Sequence, residues 1–204
     1  MVIRCGFLVI ASATSSVDAE ELLGDVQRLL PGVADGYLHL LSRAYREPPR
    51  YQLEETLRRW CDEEELDLIL TVGGTFPAPG PSAEEIVPEA TAAVLERLMP
   101  SLPEMMRAKA AETDRMALLD RGVAGIRGRT LIINLPGGRG RTEAFLESIL
   151  DAVPLVVSRI GVEDEQPIAE DAPTAQDREE MKPRSGALNQ EEFAAFLRGR
   201  QKSS

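Results

Sequence analysis

Aromatic side chains are scarce in this sequence, at 4% of residues, with a single tryptophan, Trp60. Its core must therefore be packed mainly by Leu, Val, Ile and Ala, and the 43% hydrophobic content supplies them. Cysteine is nearly absent. Cys5 and Cys61 are too few and too far apart for a disulfide framework or a thiolate metal site, and Cys5, inside an apolar run, reads as a buried structural thiol rather than a nucleophile. The one histidine, His39, stands between leucines with no cysteine or second histidine nearby, which argues against a metal role. No apolar run approaches membrane length, and the N-terminus has one arginine and no long apolar segment. A soluble cytoplasmic protein with no membrane partner is the expectation. Basic residues are outnumbered, 23 Lys and Arg against 34 Asp and Glu, for a formal charge of -11. That balance argues against a nucleic-acid surface. It leaves room for a phosphate ligand, which needs only local amides and one or two basic groups.

What is present is organised around residues 67–91. Residues 66–70 form a short apolar run that reads as a buried strand, and it empties into Thr71, Val72, Gly73, Gly74 and Thr75. A loop crowded with proline and glycine follows, then a helix expected over 84–98. A strand ending in a glycine pair and leading to a helix is where an open α/β sheet binds an anionic ligand. The glycines let the backbone approach that ligand, and Thr75 can donate a hydroxyl. Residues 130–134 repeat the pattern: a buried strand runs into Leu135, Pro136, Gly137, Gly138, Arg139, Gly140 and Arg141, then into a helix expected over 142–150. Two such loops at the C-terminal ends of parallel strands would face each other across one crevice. Arg139 and Arg141 place positive charge there, as a phosphate site requires. The competing reading, a solvated turn with surface arginines, explains one loop better than it explains two.

The remaining chain fits an α/β protein of one domain. Residues 2–11 read as a first central strand, 12–16 as a Ser/Thr loop and 18–30 as a helix stopped by Pro31 and Gly32. Residues 37–41 suit either an edge strand or a helical turn. Helices are expected at 51–64, 103–111 and 113–121, with another layer at 154–160. Met105, Met106, Met116, Leu118 and Leu119 read as core in preference to a subunit-facing surface. From 161 the composition turns acidic and non-periodic, so the domain is set at 1–160 and 161–204 is read as a flexible tail with a short helix at 191–197.

These motifs together resemble the molybdenum cofactor biosynthesis proteins of the molybdopterin adenylyltransferase type. The resemblance rests on residues 68–75 with Pro88, Glu89, Ala90 and Thr91 downstream, on Met106 and Arg107, on residues 117–127, and on the run 131–137 that contains Asn134, Leu135, Pro136 and Gly137. It extends over residues 2–160. It implies a three-layer α/β/α fold with a mostly parallel central sheet, assembled as a homotrimer. The implied activity is transfer of AMP from Mg-ATP to the phosphate of molybdopterin, releasing pyrophosphate, with molybdate-insertion proteins as further partners. The implied ligand residues are Ser12, Thr14 and Ser15 of the first loop, Thr71, Gly73, Gly74 and Thr75 of the second, Glu89, and Asn134, Pro136, Gly137, Gly138 and Arg139 of the third. Mg²⁺ and ATP are the implied cofactors.

The sequence departs from the family pattern around that crevice. Phe76 stands for a glycine, Glu85 for an aspartate, and the proline-rich loop between them is lengthened. Pro48, with Glu47 beside it, falls where a second aspartate is expected, and Ser12, Ala13 and Val17 replace an Asp-Arg pair and a closing glycine. Glu85 and Glu47 are the catalytic candidates, with Glu85 as the Mg²⁺ ligand. Two readings stay open: a divergent adenylyltransferase, and a molybdopterin-binding or regulatory and assembly protein of the same fold that performs no transfer.

Overall fold

The computed structural model describes residues 3–11, 38–46, 48–77 and 86–161, which fall within one compact unit, Met1–Glu163. The expected first loop and the helix at 18–30 lie outside the described residues, as does the segment from 162 onward.

The described strands form one sheet. They are β1 (Ile3–Ala11), β2 (Leu38–Arg46), β3 (Leu68–Val72), β4 (Arg97–Leu98), β5 (Ala124–Arg127) and β6 (Thr130–Leu135), in spatial order β2-β1-β3-β6-β5-β4. β1 pairs parallel with β2 and β3, and β3 pairs parallel with β6. β5 pairs antiparallel with β6 and β4. The fold is α/β with a mostly parallel sheet, as expected. Its central strands read as apolar runs because both faces are covered.

Side chains alternate between two cores. Cys5, Phe7 and Val9 of β1, Leu68, Leu70 and Val72 of β3, and Leu131, Ile133 and Leu135 of β6 enter one. That core is completed by α3 (Ser101–Ala110), α4 (Arg139–Glu147) and α5 (Ala152–Ile160) through Met106, Phe145 and Val157. Leu8, Ile69 and Ile132 point the other way, onto α1 (Arg50–Asp62) and α2 (Val87–Val94). Each large apolar side chain buried this way contributes about 1.5–3 kcal/mol. Gly6 belongs to this packing as well. A Cβ there would lie 2.7 Å from the Trp60 ring and 2.6 Å from Leu66.

Four local expectations change. Of residues 37–41, left between strand and helix, residues 38–41 belong to the edge strand β2, and residue 37 lies outside the described residues. The helix expected to run to Leu98 ends at Val94, because Glu96 and Met99 donate backbone hydrogen bonds to Ile126 and Ala124 and place Arg97 and Leu98 in β4. Sheet pairing there overrides helical propensity. The segment 113–121 holds a 3-10 helix, Arg115–Leu119, capped by the Asp114 carboxylate accepting from the Met116 amide. Of its apolar neighbourhood, Met106 is core, whereas Met105, Met116, Leu118 and Leu119 are exposed. Finally, α4 starts at Arg139, three residues before its expected Thr142, so the glycine loop is shorter than the sequence suggests.

Candidate functional site

Register brings the two glycine loops together. Val72 pairs with Leu135, and the Gly73 amide donates to the Leu135 carbonyl at 3.0 Å, so β3 and β6 leave the sheet side by side. Gly73 has φ +99°, and a Cβ on it would sit 2.2 Å from the Ile10 carbonyl oxygen of β1. A Cβ on Gly137 would lie 3.3 Å from the Gly73 Cα. The ends of β1, β3 and β6 therefore converge at the C-terminal edge of the sheet. Gly74 is exposed there, and Gly137 and Gly138 are half-buried. Gly138, at φ +95°, is the N-cap of α4, and a Cβ on it would meet nothing within 4 Å. The first-turn amides of α4 have no intrahelical acceptor, so the edge carries partial positive charge beside open space. The turn is tied down from below, where the Thr142 hydroxyl bonds the Pro136 and Gly138 carbonyls at 2.7 and 3.0 Å.

The polar side chains of the loops turn inward. Asn134 is fully buried; its amide nitrogen donates to the Thr71 and Thr91 hydroxyls at 2.8 and 2.9 Å. Its side-chain oxygen accepts the Val123 amide at 3.1 Å. Thr75 is buried and its hydroxyl donates to the Asp120 carboxylate, so that proton is directed away from the crevice. Asp120 also accepts the Gly122 amide at 2.9 Å through Oδ1, and the Arg107 guanidinium stands 3.9 Å from the same oxygen. Burial raises the Asp120 pKa above the ordinary carboxylate value, and the Thr75 and Gly122 hydrogen bonds and the Arg107 charge work against that rise. Pro136 is buried.

Charged groups rim the crevice in pairs. Glu89, in the first turn of α2, bonds Arg121, and its second oxygen is buried with no hydrogen-bond partner among the described residues. Arg139 pairs with Glu143 at 3.4 Å. Arg141 pairs with Asp114 at 3.0 Å and lies 5.1 Å above the Phe76 ring, which links the first glycine loop to α4. The Arg141 guanidinium holds the Asp114 carboxyl below its usual range. Beside Gly138 and Arg139 opens a cavity of about 420 Å³ with Asp114 and Arg141 on its rim and Ala144 and Phe145 in its wall.

The structure thus brings Thr71, Gly73, Gly74, Thr75, Asn134, Pro136, Gly137, Gly138 and Arg139 to one edge, with Thr71, Thr75 and Asn134 supporting the loops from inside. Ser12, Thr14, Ser15, Glu47 and Glu85 lie outside the described residues. Among the described residues no three Asp, Glu, His or Cys side chains converge, and Asp114 and Asp120 are both engaged in hydrogen bonds. They do not compose a Mg²⁺ site. Sequence reasoning gave no site role to Asp120, Thr91 or Thr142, although Thr91 and the run 117–127 stood among the motif positions.

Comparison with known proteins follows the same residues. Residues 50–155 match the family model of a probable molybdopterin binding domain. The molybdopterin adenylyltransferase of Helicobacter pylori is 40% identical over 108 residues, which cover 53% of this chain and 59% of that protein. The molybdopterin adenylyltransferase of Haemophilus influenzae is 33% identical over 139 residues, 68% of each chain. The chain therefore spans less than two thirds of the Helicobacter pylori relative. Among solved structures, the molybdopterin biosynthesis enzyme MoaB from Thermus thermophilus superposes with TM-score 0.66 at 34% identity, covering 78% of this chain and 96% of that one. The molybdopterin biosynthesis Mog protein from Mycobacterium ulcerans gives TM-score 0.65 at 30% identity, covering 77% and 99%.

Proposed function

This chain belongs to the molybdopterin-binding domain family, and we propose that it acts in molybdenum cofactor biosynthesis as a molybdopterin adenylyltransferase. The reaction joins the molybdopterin phosphate to the α-phosphorus of ATP, forms the adenylylated pterin and releases pyrophosphate. The observation that carries this reading is the contact between Gly73 and Gly137 beside the start of α4. Backbone amides of Gly74, Gly137, Gly138 and Arg139 hold the phosphate oxygens, which replace the water that solvates this open edge. Such fixed donors stabilise charge that develops on a phosphoryl group without reorganising during the reaction. Asn134 and Thr71 set the loop spacing from inside. Glu89, held by Arg121, whose amide bonds the Thr75 carbonyl, is the acidic ligand residue of this reading. Ser12, Thr14 and Ser15 would serve as further ligand residues, and Glu85 and Glu47 would hold the Mg²⁺ of the nucleotide complex, which would neutralise charge on the phosphates.

The protein works as a cytoplasmic homotrimer that passes its product to molybdate-insertion proteins. Exposed Met105, Met116, Leu118 and Leu119 support assembly, because they would be covered by a neighbouring subunit. Among the described residues no helix is long and apolar enough to cross a membrane.

A second reading, a pterin-holding protein without transfer, is favoured by one observation: Asp114 and Asp120 near the loops are both committed to partners within the protein. Calorimetric titration with molybdopterin and with Mg-ATP, combined with an assay for pyrophosphate release, separates the two. Adenylyl transfer requires both ligands to bind and pyrophosphate to appear. Pterin binding without pyrophosphate establishes the second reading, and failure of both ligands to bind overturns the site.

A further inference from the structure

Asp120 is a buried acid that the proposed reaction does not use, and its surroundings assign it a part. The chain from 120 to 123 touches both glycine loops. At one end, the Asp120 carboxylate accepts the Thr75 hydroxyl proton, while the Arg121 amide donates to the Thr75 carbonyl at 2.9 Å. At the other end, Val123 exchanges hydrogen bonds with Asn134: its amide meets the Asn134 side-chain oxygen at 3.1 Å, and its carbonyl accepts the Asn134 amide at 3.0 Å. Between them, Gly122 lets the chain fold back on the acid. A Cβ there would lie 2.8 Å from Asp120 Oδ1 and 3.3 Å from the Asn134 Cβ. Arg107 of α3 anchors the segment, donating to the Gly122 carbonyl at 3.2 Å and to the Asp120 carbonyl at 3.5 Å, and lying 3.9 Å from the carboxylate.

We infer that residues 120–123 form a brace that sets the separation of the two glycine loops, with Asp120 as the positioning residue for Gly73, Gly74 and Thr75. The physical case is that Thr75 immediately follows the exposed Gly74, and glycine backbone has little stiffness of its own. The carboxylate and the Arg121 amide pin the loop at the first non-glycine residue. A buried hydrogen bond to a charged group is worth more than a neutral one and leaves the loop a single arrangement. Arg107 supplies the countercharge that lets an acid occupy this place. The brace touches the proposed ligand only through the loops, so its link to ligand affinity rests on the function proposed above, whereas its effect on loop order does not.

Two substitutions act on the same bond from opposite sides: Asp120→Asn, which keeps the shape but removes the charge that strengthens it, and Thr75→Val, which removes the hydroxyl. Amide hydrogen exchange is followed without ligand at Gly74, Thr75 and Phe76, and at Leu70 and Ile133 in the strands as an internal reference. Molybdopterin affinity is measured by calorimetry for the parent, each single variant and the double variant. Each single change should speed loop exchange about tenfold with the strand amides unchanged, and weaken molybdopterin about tenfold. The double variant should then bind within about threefold of either single one, as expected of two groups acting as one pair. Loop exchange that stays at the parental rate, or rises only in step with the strands, overturns the brace. Loosened loops with unchanged pterin affinity overturn its role in positioning. If the parent binds no molybdopterin, the proposed function fails, and the exchange arm still decides whether the brace exists. Should Asp120→Asn fail to fold, Thr75→Val carries the exchange measurement alone.

Discussion

Asn134 is the best place to test whether the loop side chains are structural supports or ligand contacts. Asn134→Ala removes three hydrogen bonds, to Thr71, Thr91 and the Val123 amide. The two hydroxyls sit on residues that are 1% and 0% exposed, with Asn134 itself at 0%. Three neutral bonds at about 0.5–1.5 kcal/mol each give a loss near 3 kcal/mol. The threonine hydroxyls can redirect their own protons, which lowers the cost, whereas the Val123 amide has no such freedom, which raises it. A net loss of about 2–5 kcal/mol is expected, equivalent to a fall in Tm of roughly 4–20 °C for a chain of this size. Urea unfolding followed by the fluorescence of Trp60, the sole tryptophan and buried on the same face of the sheet as Asn134, reads this as a lower midpoint at constant slope. Thr91→Val removes only one of the bonds and should cost about 1 kcal/mol, with less than additive effect in the double variant. An Asn134→Ala variant that lost under about 1 kcal/mol yet failed to bind molybdopterin would refute the structural role. It would return Asn134 to the ligand.

Two other outcomes follow from local geometry and burial. Gly73→Ala places a Cβ 2.2 Å from the Ile10 carbonyl at φ +99°, and Gly138→Ala meets nothing within 4 Å at φ +95°. Thermal unfolding should therefore show a loss of about 3 kcal/mol or more for the first and about 1–2 kcal/mol for the second; equal losses would show that β1 does not confine the loop. Burial pushes the Cys5 thiol up to about 12 and the Cys61 thiol up to about 11, from 9.0. Both pKa values are higher in the folded state than in the unfolded one. The stability they protect is therefore complete below pH 9 and is lost as pH rises towards 11 and 12. At pH 10.5 the loss from Cys5 is about 2 kcal/mol; Cys5→Ala should flatten the fall of the urea midpoint between pH 8 and 10.5, and parallel curves would contradict the burial argument.

The parts of this fold that were legible from sequence are those whose residues have only one way to be satisfied. β1, β3 and β6 are apolar on both faces, so Phe7 and Leu8, or Leu131 and Ile132, require helices above and below. Glycines next to such strands mark the loops for the same reason, since the Ile10 carbonyl leaves no room for a Cβ at Gly73. β4 and β5 escaped notice because two and four residues are too short to show a period, and their pairing is decided by a partner strand rather than by their own composition. Side-chain direction within the loops was equally hidden. Thr71, Thr75 and Asn134 are polar residues next to a crevice, and residue type alone does not distinguish a group that faces a ligand from one satisfied by Thr91, Val123 or Asp120. Register decides it: Thr71 lies opposite Asn134 across β3 and β6, and the two side chains answer each other.

That inward turn changes what the departures from the family pattern mean. If threonine and asparagine side chains held the phosphate, each substitution around the loops would remove a ligand contact. Here the groups that reach solvent at Gly74, Gly137 and Gly138 are backbone, and any residue except proline retains its amide. Phe76 in place of a glycine therefore removes no donor at its own position, and its ring instead receives the Arg141 guanidinium at 5.1 Å while that arginine is held by Asp114. A cation over an aromatic face is worth about 0.5–1 kcal/mol at an exposed site, enough to bias the loop towards α4 without fixing it as firmly as the buried Asp120 bond does. The proposed anion-binding edge and the proposed chemistry of transfer are thus separable: the first would use amides and an inner scaffold that the described residues contain, and the second would depend on the carboxylates proposed at Glu47 and Glu85. A chain can keep the edge while altering those acids, so retained pterin affinity is the expected baseline against which any change in transfer rate should be measured.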